Sequence, residues 1–365
     1  QFIKIGTIVD DLIITVPPKL AGKIDYLKQV INTAGKQDVR WLDDPLQFSF
    51  GGVQYSRCKR TRAVTISITV RIEEAVAKYA KHLVGSIAKC NQVASQAAIE
   101  NLVMVDAAER GKHSVEQKAC MEQIGLLIYF MEYFIHITRP VHALTCVMAF
   151  PPVEAANVVL QGIWLYLYSN RHEGNTFGGK LVSEQSLEVQ AAIEYDMPVP
   201  ASECMIVSDA TWTGSEERSL KAYVVKWAGG AIVARLSTIH FIVPSSFMGE
   251  ADALHDAFEA GEYIRDALQE MGAITHSAIL SCVDNKGLVD TAQQRAKGGS
   301  KLQRRKIGII LNKVKQGMFK VKHLPDKNMP VDFMAKKKLR ASINFLYNLA
   351  NAVARGGGDA KAAVA

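Results

Sequence analysis

The sequence has few of the features that mark a secreted, disulfide-bonded or membrane protein. Its six cysteines are scattered and none forms a Cys-x-x-Cys pair, so we expect reduced thiols in an intracellular protein. No N-terminal segment has the charged, apolar and small-residue order of a signal peptide. No run reaches the roughly 18 uninterrupted apolar residues of a membrane span. The expected location is the cytoplasm or the nucleus, away from any membrane.

A large charge of either sign is also absent. The chain has 43 Lys and Arg against 36 Asp and Glu, which gives a formal net charge of +7. This modest charge does not identify a partner by itself, so the positions of the charged residues matter more than their sum. At 365 residues with 48% hydrophobic content, the chain is long enough for more than one hydrophobic core.

Two carboxylates in the C-terminal half lie on a predicted strand and on a predicted helix. Asp209 lies on a strand that leads into two apolar runs joined by Trp227-Ala-Gly-Gly230, which predicts an antiparallel meander. Glu250 precedes apolar residues that recur at helical spacing as far as Leu268. We therefore place Glu250 in the first turn of a long amphipathic helix.

Two further carboxylates follow later strands. Asp284 ends the apolar run Ala278–Val283, and strand-end carboxylates face the crevice in which α/β sheets bind ligands. Asp332 follows a predicted strand at Met318–His323 and stands in the first turn of the final helix. Strand ends and helix starts of this kind can converge on one polar pocket.

Four clustered carboxylates imply a cation. Like charges repel and raise one another's pKa unless a cation neutralises them, and an all-oxygen ligand set suits a hard divalent ion such as Mg²⁺ or Mn²⁺. Two such ions stabilise both the attacking and the leaving oxygen of a phosphodiester displacement. The predicted chemistry is hydrolysis at phosphorus with two Mg²⁺ or Mn²⁺ ions.

The motifs around these acids resemble a known family, the ribonuclease H domain of copia-type retrotransposon polyproteins. The resemblance extends from Ser208 to about Leu349 and implies that the four acids are the metal ligands and that His323 assists proton transfer or product release. It also implies RNA–DNA hybrids as substrate. The sequence departs from the family pattern at Phe247–Gly249, before the helix acid. The motifs are D-A-T-W-T-G, S-S-F-M-G-E-A-D-A-L, V-D-N-K-G and H-L-P-D-K-N-M-P-V-D-F-M-A-K.

The N-terminal half resembles the end of a reverse transcriptase of the same family. Asp10 and Asp11 lie between two apolar strands, like the acids at the tip of the catalytic hairpin. Phe50–Arg57 and Ala63–Ser67 are similar to the paired strands that hold the primer end, and Val70–Tyr79 to the helix after them.

A further metal-binding aspartate and the nucleotide-binding fingers of such a polymerase would lie before Gln1. We therefore expect no polymerase activity from this chain alone, and a fragment of a longer polyprotein. The competing hypothesis is a decayed or host-retained nucleic-acid-binding or scaffolding protein that keeps a ribonuclease H fold. An integrase-like or resolvase nuclease of the same fold is a third reading, but it has no place for the N-terminal segments.

Six basic residues between the third and fourth acids form the predicted nucleic-acid contact. Such a cluster neutralises backbone phosphates without reading sequence, as the recognition of an RNA–DNA hybrid by shape requires. The alternative is an ordinary solvated face. The cluster consists of Arg295, Lys297, Lys301, Arg304, Arg305 and Lys306.

The predicted architecture is a multidomain α/β (α+β) protein. Residues 1–85 form a partial reverse-transcriptase palm and thumb, and residues 86–200 a mostly helical connection. Residues 201–353 form a ribonuclease H-like domain with a five-stranded mixed sheet: an antiparallel meander extended by parallel strands, with flanking helices. Residues 354–365 form a disordered tail.

Overall fold

The computed structural model describes most of the chain, in segments separated by gaps. Asp10 and the predicted tail at residues 354–365 lie outside the described residues. The described residues are 4–8, 11–15, 18–35, 47–58, 63–85, 90, 93–106, 108, 110–177, 204–212, 218–228, 230–273, 278–293, 301–325, 329 and 331–335.

The chain opens with the predicted hairpin. Strands β1 (Lys4–Ile8) and β2 (Asp11–Thr15) pair antiparallel, with Ile8 opposite Asp11. Asp11 is therefore the first residue of β2, next to the tip of the hairpin. A 3₁₀ helix (Pro18–Lys23) and helix α1 (Ile24–Gly35) follow.

A four-stranded antiparallel sheet comes next, in the order β3-β4-β5-β6. Gly51 and Gly52, with φ of 60° and 76°, turn the chain between the first two strands, because a glycine adopts positive φ without steric cost. The β4–β5 pair and the helix after it, α2 (Thr69–Tyr79), confirm the predicted strands and helix. Strand β6 was not predicted. The strands are β3 (Gln47–Phe50), β4 (Val53–Arg57), β5 (Val64–Ser67) and β6 (Asn175–Phe177).

The helices between β5 and β6 pack around one apolar core with the face of this sheet. Trp164 is fully buried in it, and its indole N–H donates to Oε1 of Gln123 at 2.8 Å, so the polar edge of the ring keeps a partner. The core includes residues on both sides of Gly85, and the domain limits at 85 and 200 stay predictions. The helices are α3 (Gln96–Glu100), α4 (Val115–Phe130), α5 (Thr138–Val147) and α6 (Val153–Ser169), with short 3₁₀ helices at Lys81–Leu83 and Ile135–Ile137.

The C-terminal part contains a five-stranded mixed sheet in the order β11-β10-β7-β8-β9. β7, β8 and β9 pair antiparallel, β10 runs parallel to β7, and β11 runs parallel to β10. This arrangement confirms the predicted meander with two added parallel strands. The strands are β7 (Cys204–Ala210), β8 (Leu220–Trp227), β9 (Gly230–Thr238), β10 (Ile279–Val283) and β11 (Phe319–His323).

Helices cover both faces of this sheet. On one face the rings of Phe258 and Phe319 stack at 3.8 Å between centroids. Gly261 lies on the helix that carries Phe258 and lets that helix lie close to β7, because a Cβ at this position would lie 2.3 Å from the Ile206 side chain. On the other face, Met334 packs in a core that includes Ile135 of the N-terminal part. The helices are α7 (Ser246–Glu270), α8 (Lys286–Ala292), α9 (Lys301–Lys315) and α10 (Asp332–Ala335).

Polar contacts also join the two parts of the protein. Arg139 of α5 donates to the backbone carbonyl oxygens of Met334, at 3.4 Å, and Ala335, at 3.1 Å. These carbonyls are at the C-terminal end of α10, so Arg139 holds the end of the helix that begins at Asp332. Among the described residues, no helix is both long and apolar enough to cross a membrane.

Candidate metal centre

The first acid, Asp209, lies near the carboxyl end of β7. Its side chain is buried, with 1% of the residue exposed, and it stands opposite Ala222 of β8. The small side chain of Ala222 is itself fully buried, so it adds no bulk beside the carboxylate. The predicted position of Asp209 on the first strand of a meander is confirmed.

The second acid, Glu250, lies one turn further into its helix than the sequence indicates. Helix α7 begins at Ser246, with Ser245 as its extended N-cap, and has no acid in its first turn. The helix starts early because Met248, 1% exposed, packs into a small apolar cluster with Ala210 and Val243. The prediction of a first-turn glutamate was therefore wrong by one turn, and Glu250 is held in a buried part of α7.

The third acid, Asp284, directly follows β10. The next residue, Asn285, is the N-cap of helix α8. Its Oδ1 accepts from the backbone N–H of Leu288 at 3.1 Å, and its Nδ2 donates to Oε1 of Glu250 at 3.2 Å. Asn285 thus caps α8 and orients Glu250 with the same amide, a role that the sequence motif alone did not reveal.

Strand register brings Asp209 and Asp284 together. Cys282 of β10 stands opposite Val207 of β7 in a parallel pair. Continuing this register by two residues places Asp284 beside Asp209 and on the same face, because side chains alternate with a period of two.

Three of the four predicted acids form one cluster. Carboxylate oxygens of Asp209, Glu250 and Asp284 all lie within 4.8 Å of one another. Three carboxylates at this separation match the oxygen ligands of Mg²⁺ or Mn²⁺, and they would repel one another strongly without a cation. The donor set therefore fits a hard divalent ion, whereas a thiolate or imidazole site would suit zinc.

The fourth acid and the predicted histidine lie at the same sheet. Asp332 is the first residue of α10, fully buried, and α10 packs against β7 and β8. His323 is the last residue of β11, half-buried and opposite Val283, which directly precedes Asp284. The predicted strand Met318–His323 ends at this residue, and the pairing of His323 with Val283 confirms that end.

The structure describes only part of the predicted basic cluster. Arg295 and Lys297 lie outside the described residues, and Lys301 and Arg304 belong to α9 without described side chains. Arg305 is exposed. The sixth residue, Lys306, forms an ion pair with the buried carboxylate of Asp252, so its ammonium is engaged inside the protein.

Asp252 is a site-adjacent residue that the sequence reasoning missed. It lies two residues after Glu250, is 1% exposed, and pairs with Lys221 of β8 at 2.8 Å as well as with Lys306. Lys221 also contacts Asp256 at 2.5 Å. Burial lowers the pKa of Lys306, and the nearby charge of Lys221 lowers it further. A signal was available, since Lys221 is one of two lysines in an otherwise apolar strand, the other being Lys226.

Comparison with known proteins finds no match by sequence and only a low structural similarity. No family model and no curated protein matches the chain. Three solved structures are similar to parts of it: LC11-RNase H1 in complex with RNA/DNA hybrid, RNase H1 from the archaeon Halobacterium salinarum NRC-1, and the N-terminal RNase H domain of a Mycobacterium tuberculosis protein fused to maltose-binding protein.

These likenesses are limited in extent. The LC11 enzyme is 15% identical, over 35% of this chain and 88% of that one, with a TM-score of 0.29. The archaeal enzyme is 17% identical, over 34% and 87%, with a TM-score of 0.27. The mycobacterial domain is 14% identical, over 40% and 97%, with a TM-score of 0.29. What is proposed for this protein therefore rests on its own strand order and acids.

Proposed function

We propose that residues 204–335 form a two-metal nuclease of the ribonuclease H type, which hydrolyses the RNA strand of RNA–DNA hybrids. The observation that carries this proposal is the convergence of Asp209, Glu250 and Asp284 within 4.8 Å from two strands and a helix. Buried carboxylates at this spacing need divalent cations to stay ionised together. When bound, a pair of such ions supplies charge stabilisation for the attacking and leaving oxygens of a phosphodiester displacement.

Each residue of the cluster has a separate role in this proposal. Asp209, Glu250 and Asp284 would hold one ion, and Asp332 would help Asp209 to hold the second. Asn285 keeps the Glu250 carboxylate in one orientation through its amide N–H, as partners of metal ligands commonly do. His323, at the end of the strand beside the acids, exchanges a proton with the reacting or departing group.

The substrate class follows from the resemblance and from the basic residues of α9. An RNA–DNA hybrid is recognised through its backbone and its shallow groove rather than by sequence. The exposed Arg305 in the first turns of α9 neutralises a phosphate of the hybrid.

The wider proposal is that the chain comes from a copia-type retrotransposon polyprotein. Its support is the β1–β2 hairpin beginning its second strand at Asp11, followed by the paired strands β4 and β5 and helix α2. Two adjacent aspartates cannot assemble a polymerase centre without the further acid on an earlier strand. We expect no DNA synthesis from these two aspartates alone.

The decisive test is cleavage of an RNA–DNA hybrid carrying a label on each strand. With Mg²⁺ or Mn²⁺ the full chain should cut the RNA strand alone, and a chelator should stop the reaction. Asp284→Asn should lower the rate by about 100-fold or more, since each displaced ligand mispositions the ions.

The matched control is Asp266→Asn, which makes the same change at an exposed position of α7 and should leave the rate unchanged. Cleavage by Asp284→Asn at the wild-type rate would remove the site assignment. Salt-sensitive binding of hybrids without cleavage by the wild-type chain would instead establish the decayed, nucleic-acid-binding alternative.

A further inference from the structure

Trp212 is an exposed aromatic residue held firmly at its polar edge. It is 55% exposed, yet its indole N–H donates to the backbone carbonyl of Val243 at 3.0 Å. The backbone just before it is fixed too, because Thr211 donates its N–H to the Leu220 carbonyl at 2.8 Å and its hydroxyl oxygen accepts from the Leu220 N–H at 3.0 Å. The ring therefore has a defined position although more than half of it meets solvent.

This position lies between the two segments that carry Asp209 and Glu250. Trp212 follows Asp209 by three residues, and its anchor, Val243, belongs to the segment that enters α7. The two segments touch directly: a Cβ on Gly249 would lie 3.3 Å from the Ala210 Cβ and 3.5 Å from Val243. Trp212 thus spans the contact between the residues next to both acids.

The surroundings of Trp212 include further exposed apolar surface. Ile242, beside the anchor residue, is 82% exposed. Together with the indole, it offers an apolar surface that matches the apolar face of a backbone sugar.

We propose that Trp212 is a substrate-positioning residue whose indole packs against a sugar face of the nucleic acid near the phosphate to be cleaved. This inference rests on the proposed nuclease function. Inside a hybrid the bases cover one another, so the surface offered to a protruding ring is the wide, shallow minor groove with its exposed sugars. The ring then sets the depth and register at which the backbone meets the carboxylates.

The first experiment measures binding without cleavage. In the full chain carrying Asp284→Asn, the Kd for a labelled RNA–DNA hybrid should rise about tenfold on Trp212→Ala, the scale of a lost aromatic contact to nucleic acid. Trp212→Phe should cost no more than about threefold, since the apolar ring remains. The salt dependence of binding should stay the same, because no phosphate contact is removed.

The matched control is Tyr263→Ala, which truncates an aromatic residue on α7 that is 75% exposed. It should leave Kd unchanged. Equal weakening by both truncations, or no weakening by Trp212→Ala, would overturn the proposed contact. If Trp212→Ala weakens the binding of single-stranded RNA and DNA as much as that of the hybrid, the proposed contact is also overturned, because such a result would indicate stacking on bases.

A second readout does not depend on the folding of the alanine variant. Hybrid binding should change the tryptophan emission of the Asp284→Asn chain, and this change should disappear in Trp212→Phe, which keeps the other three tryptophans. A change that persists in Trp212→Phe would refute the contact. In the active chain, Trp212→Ala should raise KM for the hybrid and also lower kcat, because the phosphate is no longer held in register with the carboxylates.

The two proposals can fail separately. If the wild-type chain does not cleave hybrids but Trp212→Ala still weakens binding, the nuclease proposal fails and the contact stands. If cleavage is metal-dependent and Trp212→Ala changes neither Kd nor KM, only the inference about Trp212 fails.

Discussion

Neutralising Asp252 tests whether the buried ion pairs hold α7 in place. Asp252 is 1% exposed and is contacted by Lys221 from β8 and by Lys306 from α9. The substitution Asp252→Asn keeps the shape of the side chain and one acceptor oxygen but removes the charge. Two ammonium groups would then face a neutral amide.

The expected loss of stability is about 2–3 kcal/mol. Removing one partner of a fully buried pair costs about 3–5 kcal/mol. The Lys306 side chain is 25% exposed, so solvent screens part of its charge, and Lys221 keeps Asp256 at 2.5 Å as a second partner. Both features reduce the cost below that of a dry pair.

The loss should also shrink as the pH rises. Burial and the charge of Lys221 already lower the pKa of Lys306 in the folded protein, and loss of the Asp252 charge lowers it further. With its folded pKa below its unfolded value, Lys306 binds more protons when unfolded, so the free energy of unfolding increases with pH. The deficit of Asp252→Asn should therefore be smaller at pH 9.5 than at pH 7.

Urea unfolding of the full chain at both pH values measures these differences. The control, Asp266→Asn, breaks an exposed pair with Arg265 at 2.7 Å and should cost less than about 0.5 kcal/mol. The double variant Asp252→Asn/Lys306→Met should recover part of the loss, since the uncompensated ammonium is gone. A loss below about 1 kcal/mol for Asp252→Asn, with no dependence on pH, would refute the reasoning.

Three further predictions concern a buried histidine, an aromatic stack and the residue that orients Glu250. Burial lowers the pKa of His136 well below its ordinary value. Below pH ~6.5 the unfolded chain therefore binds a proton that the folded chain does not, and the free energy of unfolding should fall by up to about 1.4 kcal/mol for each unit by which the pH is lowered. Between pH 5 and 7, the free energy of unfolding should change less steeply with pH in His136→Gln. Phe258→Ala should lower the free energy of unfolding measured in urea by about 3–5 kcal/mol, because it removes the ring that stacks on Phe319 and leaves a cavity. Asn285→Ser keeps a helix cap but loses the donor to Glu250, so the Mg²⁺ concentration for half-maximal cleavage should rise about tenfold; an unchanged value would contradict the orienting role.

Much of the C-terminal fold could be predicted from local patterns. The hairpin between β8 and β9 has a Gly-rich turn between two apolar runs, and the run before Asp284 has the length and composition of a buried strand. Such signals depend on residues close together in the sequence, so they survive without knowledge of the rest of the fold. The helix starts were less accurate, since burial of Met248 extends α7 beyond the position that the acid suggested.

Contacts between distant segments could not be predicted. β6 completes its sheet by pairing with β5, with Thr65 opposite Thr176, although the short segment Asn175–Phe177 has no strong strand pattern of its own. The pair of Asp252 and Lys306 likewise joins two helices that are far apart in sequence. The chemistry of a lysine does not tell whether it will face a phosphate or a buried carboxylate, so the sequence predicted substrate binding or a solvated face for Lys306 and not the pair with Asp252.

The convergence of Asp209 and Asp284 depends on a register that apolar patterning does not specify. β10 is buried on both faces, so a shift by one residue would exchange one apolar set for another at little apparent cost. The same shift would turn Asp284 to the opposite face of the sheet from Asp209, since a single step reverses every side chain. β10 is held to β11 at both of its ends: Ile279 donates to the Met318 carbonyl at 2.9 Å, and Leu324 donates to the Val283 carbonyl at 2.8 Å. This pairing fixes His323 opposite Val283, directly before Asp284. The alignment of the two acids depends instead on the pairing of β10 with β7, in which Cys282 stands opposite Val207.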